Sequence, residues 1–148
     1  MISGPFTIRV YALLKHRDKV LLVHERIGDF SFTKFPGGGM QHGEGTIDCL
    51  KREMMEETGL IITEATHYYT TDFFQPSAFH TEQQIVSVYY LVQAEFADKL
   101  REDEHVLKTG DRDEILRFEW VMLTDLNPDM LTFPIDKHVC RLLISETD

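Results

Sequence analysis

The chain has 148 residues, 43% of them hydrophobic and 27% charged, which suits one globular domain with a real core. Its formal net charge of −10 argues against holding a nucleic-acid polymer by phosphate neutralisation, which needs clustered Lys and Arg. An acidic protein still binds a phosphorylated small molecule when metal cations bridge the two.

Two well-separated cysteines, Cys49 and Cys140, make neither a disulfide framework nor a zinc site. The histidines, His24, His42 and His105 among them, show no metal-ligand spacing. No apolar run approaches the length of a membrane span, and the first ten residues lack a leader pattern. A cytoplasmic protein without membrane contact is expected.

Residues 6–14 are β-branched and apolar, a polar turn follows at 16–19, and residues 20–23 are again apolar, so a hairpin is predicted. Residues 35–40, Phe-Pro-Gly-Gly-Gly-Met, are predicted as a loop whose glycines allow close approach to a ligand. A helix follows, with Thr46 as expected N-cap, Asp48 in the first turn and Gly59 ending it. Ile47, Leu50 and Met54 repeat at helical spacing and are assigned to the core. Glu53, Glu56 and Glu57 share another side of that helix, where like charges three and four apart repel. Such a cluster is a solvated acidic face or a cation site.

Residues 61–70 and 84–94 read as strands, with an aromatic loop at 73–79 between them. Residues 98–113 read as a charged connection, 115–121 as another strand, and 134–144 as a closing helix with Pro134 at its first position. There is no internal repeat or linker, so residues 1–148 are taken as a single α/β (α+β) domain, a mixed sheet with helices on its faces.

Between residues 38 and 60 the pattern is Gly38, five residues, Glu44, seven residues, Arg52-Glu53-Met54, one residue, Glu56-Glu57, one residue, Gly59-Leu60. Every position matches, so this stretch resembles the signature box of the Nudix hydrolases, and the preceding Pro36-Gly37 resembles that family's approach to it. The resemblance implies the Nudix fold, a mixed sheet sandwiched between helices. It also implies hydrolysis of a nucleoside diphosphate linked to another group by water attack on phosphorus. Mg²⁺, with Mn²⁺ as a substitute, is the implied cofactor, since hard oxygen donors suit it.

Carried over residue by residue, Glu53, Glu56 and Glu57 are the implied metal ligands, with the Gly37 carbonyl as an addition. Arg52 is implied to hold neighbouring glutamates in place. Gly38, Glu44 and Gly59 are implied to brace the loop and helix. The water-activating base is implied to be Glu53, or an acid in a loop before a late strand. Glu114, six residues before Trp120, fits the second position as base or additional ligand, with Asp113, Glu102 and Glu104 as rivals. Phe73 and Phe79 are candidates to stack on a base, as aromatics do in nucleotide sites, or to anchor their loop.

The compact length resembles enzymes that act on nucleoside triphosphates, including damaged ones, which are expected to give the monophosphate and pyrophosphate. Pro76, sixteen residues after Leu60, resembles a feature of enzymes acting on ADP-ribose, so an ADP-ribose, nucleotide-sugar or dinucleotide pyrophosphatase is the alternative. A non-catalytic, nucleotide-sensing Nudix-like domain is the third reading. Both a monomer and a homodimer are compatible with the resemblance.

Overall fold

In the computed structural model, residues 4–109 and 112–147 are described. The expected charged connection therefore includes two positions, Gly110 and Asp111, outside the described residues. The elements in chain order are β1 (Phe6–His16), β2 (Lys19–Ile27), β3 (Phe30–Lys34), β4 (Gly37–Gly39), α1 (Thr46–Thr58), β5 (Ile61–Thr70), β6 (Gln84–Glu95), β7 (His105–Thr109), β8 (Arg112–Met122) and α2 (Pro134–Thr147). They build an eight-stranded mixed sheet in the order β5-β6-β1-β2-β8-β7, with β3 on β2 and β4 on β1. β1 runs parallel to β6 and antiparallel to β2 and β4.

Residues 10–14 are buried without a break because both faces of β1 are covered. Val10, Ala12 and Leu14 pack with Cys49, Leu50 and Met54 of α1. The alternate Tyr11 and Leu13 pack with Ile135, Val139, Cys140 and Leu143 of α2. The two helices thus cover opposite faces, as a period of two along the strand requires. The β1–β2 turn has Arg17 and Asp18 at φ 49° and 62°, the two left-handed residues of a tight hairpin.

Several expectations need correction. The N-cap of α1 is Gly45, not Thr46. The Asp48 carboxylate accepts the Gly45 N–H at 2.9 Å, while the Thr46 hydroxyl pairs with Tyr90 Oη at 2.6 Å. Ile47 is only half-buried, and Cys49 takes the core place beside Leu50. The glycine stretch is not all loop, since Gly37–Gly39 forms β4 against Tyr11, Val10 and Arg9. The charged connection contains a strand, His105–Thr109, paired to β8. Gly59 ends α1 at φ 73° as expected, a left-handed cap that a side chain would strain.

Candidate active site

Sheet register decides which charges meet. Glu25 lies opposite Phe32 and Leu116, Val23 opposite Lys34 and Phe118, and Ile27 opposite Glu114. Directly paired residues project to the same face. Val23, Leu116 and Phe118 belong to the α1-side core, so Glu25, Lys34 and Glu114 face that side too. Glu53 and Glu57 of α1 reach the same place, and five glutamates, Glu25, Glu53, Glu56, Glu57 and Glu114, line one cleft of about 390 Å³. Lys34 and Arg9 supply its cationic lining.

The three helix glutamates do not share one solvated face. The Glu56 side chain is 52% exposed and Glu53 14%. Glu57 is buried, with its Oε2 lacking a hydrogen-bond partner. Burial pushes the Glu57 carboxyl well above the usual carboxylate range; Lys34 opposes this, and Glu25, Glu53 and Glu114 add to it. Arg52 separates the others. Its Nε and Nη2 donate to the two oxygens of Glu44 at 2.6 and 2.9 Å, and Nη1 donates to Glu53 at 3.0 Å and Glu56 at 3.2 Å. Nη2 also donates to the Gly39 carbonyl at 3.0 Å. A planar fork suits that many fixed acceptors. Glu44 in turn accepts the Gln41 N–H at 2.8 Å, so it ties the loop to the helix, and Arg52 draws its carboxyl below the usual range.

Gly38 has no room for a side chain, because a Cβ there would lie 2.5 Å from the Glu53 carboxyl group. The Gly37 carbonyl accepts from Lys34 Nζ at 3.1 Å. Lys34 is 4% exposed and lies 3.6 Å from Glu25. Burial opposes its charge, but Glu25 and then Glu57 outweigh it and hold the ammonium above its ordinary value. Cys49 is packed, and burial pushes its thiol up to about 11.

Glu114 is the third residue of β8 rather than a loop residue. Its rivals stand outside the cleft lining: Glu102 accepts the Trp120 N–H at 3.2 Å, Glu104 lines a separate shallow groove, and Asp113 is exposed. The two aromatic candidates also separate. Phe79 lines the cleft, edge-on to Phe30 at 5.6 Å and Phe32 at 5.7 Å. Phe73 is absent from that lining and meets His138 at 5.6 Å. Pro76 lies in the cleft wall.

The glycine-and-glutamate motif alone did not reveal Glu25, Lys34, Arg9 or Asp136. For Glu25 a signal existed: it falls two residues after buried Val23, where strand alternation points inward.

Among the described residues, no three His, Cys, Asp or Glu side chains form a ready-made metal cluster. The donor chemistry nevertheless fits a hard divalent cation. The groups are carboxylate and carbonyl oxygens, one of them a buried, unpartnered carboxylate oxygen, and anions outnumber cations in the cleft lining.

Residues 5–142 match the NUDIX domain family. The chain is 27% identical over 126 residues to the mouse "Nucleoside diphosphate-linked moiety X motif 6", a match spanning 85% of this chain and 37% of that protein. It is 27% identical over 134 residues to an "RNA pyrophosphohydrolase" from Bartonella clarridgeiae, spanning 83% of this chain and 74% of that one. The chain thus covers little more than a third of the mouse relative. A MutT NUDIX hydrolase structure from Burkholderia pseudomallei superposes with a TM-score of 0.66 at 23% identity, covering 99% of this chain and 100% of that one, a likeness of fold. The match over nearly the whole length, together with the complete box at residues 38–60, establishes that this chain belongs to the Nudix hydrolase family.

Proposed function

We propose that the protein is a Mg²⁺-dependent pyrophosphohydrolase that converts a nucleoside triphosphate to the monophosphate and pyrophosphate, with Mn²⁺ able to replace Mg²⁺. The observation that carries this reading is the surplus of carboxylates over cations in one cleft built around the complete box. A polyphosphate would be repelled from that surface unless cations bridged it. A divalent ion bound there polarises phosphoryl oxygens and lowers the pKa of water.

Glu53, Glu56 and Glu57, with the Gly37 carbonyl, are the residues that would hold the ion. Arg52 fixes Glu53 and Glu56 by the bonds described above. Glu114 takes the proton of the attacking water. As the new bond from water oxygen to phosphorus forms, the bridging P–O bond breaks, and its electron pair leaves with pyrophosphate. Phe79 supports the base by stacking, and Phe32 backs the Phe79 ring.

Two specific observations favour other substrates. Pro76 in the cleft wall suits the ADP-ribose alternative, and the Bartonella relative's name suits an RNA substrate. The net charge of −10 weighs against a polymer.

The test is a panel of nucleoside triphosphates, ADP-ribose, nucleotide sugars, dinucleotides and a 5′-triphosphorylated oligonucleotide, each with Mg²⁺. Triphosphate turnover releases phosphate only after inorganic pyrophosphatase is added. ADP-ribose turnover releases it only after a phosphatase is added. Preference for ADP-ribose or the oligonucleotide would replace the proposed substrate, and no turnover of any compound would remove the activity.

A further inference from the structure

We propose that the Lys34 ammonium is a resident cation, occupying oxygens of the site until a divalent ion displaces it. The proposal rests on reading the cleft as a divalent-cation site. An ammonium carries three donors and no acceptor. Here Nζ donates to the Gly37 carbonyl at 3.1 Å and the Phe35 carbonyl at 3.4 Å, and it lies 3.6 Å from Glu25 Oε2. Two carbonyls and a carboxylate are the kinds of oxygen that hold a hard divalent cation. They surround a side chain that is only 4% exposed, in a cleft that Glu53, Glu57 and Glu114 also line.

Burying carboxylates together without a cation is costly, and Lys34 offsets that cost in the metal-free protein. The other basic groups are differently placed. Arg52 is pinned by its rigid fork to Glu44, Glu53, Glu56 and the Gly39 carbonyl. Arg9 donates through Nε to Tyr11 Oη at 2.6 Å. Among the described residues, Lys34 alone combines the Gly37 carbonyl with a flexible four-carbon stem that lets its charge move. An incoming divalent ion and the ammonium therefore compete for the Gly37 carbonyl, and their like charges repel within the one cleft. Lys34 acts through that ligand and is a positioning residue.

The test is Mn²⁺ binding to the nucleotide-free protein, read by electron paramagnetic resonance of free Mn²⁺. Lys34→Met should bind Mn²⁺ at least about tenfold tighter, because the competitor is gone. Lys34→Arg should stay within about threefold of the wild type, since it keeps a buried cation. Arg9→Gln, which removes a charge from the same cleft but not from these oxygens, should tighten binding by less than about threefold. Unchanged or weaker binding by Lys34→Met overturns the proposal, as does equal tightening by Arg9→Gln. If Lys34→Met does not fold, the double variant with Glu25→Gln restores neutrality and is compared with Glu25→Gln alone under the same criteria. Wild-type protein that binds no Mn²⁺ overturns the reading of the cleft as well, whereas binding that ignores Lys34 overturns the competition alone.

Discussion

Asp136 should make stability fall as pH rises through the mildly acidic range, and Asp136→Asn should remove that dependence. The side chain is 1% exposed and accepts the Tyr89 hydroxyl at 2.5 Å. Burial pushes its carboxyl up to about 6 from an ordinary 3.8, although the Tyr89 hydrogen bond pulls the other way. The folded state therefore prefers the protonated acid. The associated stability is fully present below about pH 4 and is lost as pH rises through about 6. At about 1.4 kcal/mol per pH unit, the gap is worth about 3 kcal/mol by pH 7. Asparagine keeps an acceptor for Tyr89 and carries no charge. Relative to wild type, Asp136→Asn should gain about 2–3 kcal/mol between pH 4 and pH 7. Urea unfolding of both proteins at pH 4, 5, 6 and 7 reads this difference directly, because the other titrating groups cancel. A stability difference constant to within about 0.5 kcal/mol across that range would refute the upward shift of the Asp136 carboxyl by burial.

Gly38→Ala should fold but lose about a hundredfold in kcat, since its Cβ would intrude to 2.5 Å from the Glu53 carboxyl and displace it; circular dichroism alongside kcat separates misplacement from unfolding. Glu114→Gln should lower kcat by about 10²–10⁴ with little change in KM, and a loss under about tenfold would hand the water's proton to Glu53. Phe79→Ala should raise KM by about tenfold, the scale of one base stack, whereas Phe73→Ala, which removes a ring packed on His138, should leave KM unchanged. Equal effects of the two phenylalanine variants would assign Phe79 to loop packing instead.

Features carried by local pattern were legible in the sequence. The β1–β2 hairpin, the strand read at 84–94 and found at Gln84–Glu95, the position of α1 and its Gly59 stop all follow from periodicity and turn residues. β3 escaped because it is short and Lys34 stands where the alternation begun by Phe30 and Phe32 calls for an apolar residue; Lys34 is buried there beside Glu25 and the Gly37 carbonyl. β7 escaped because its charged surroundings resemble a loop, while its order comes from pairing with β8. Glu53, Glu56 and Glu57 were visible as a cluster, but their different burial was not. That difference arises from Arg52 outside and the sheet inside, which is tertiary information. Asp136 and Glu25 reach the cleft from elements that sequence spacing does not connect to the box.

The central claim is that the glutamate-lined cleft hydrolyses a nucleoside triphosphate through a bound divalent cation. Its most direct measurement is triphosphate turnover by wild type and Glu57→Gln, with Mg²⁺, after removal of the ion by chelation, and after Mg²⁺ is restored. Wild-type turnover should appear with Mg²⁺, vanish on chelation and return when the ion does, giving monophosphate and pyrophosphate. Glu57→Gln should lose at least about a hundredfold in kcat while melting no lower than wild type, because the amide avoids a buried charge. Turnover that survives chelation, or a Glu57→Gln variant as active as wild type, would contradict the account.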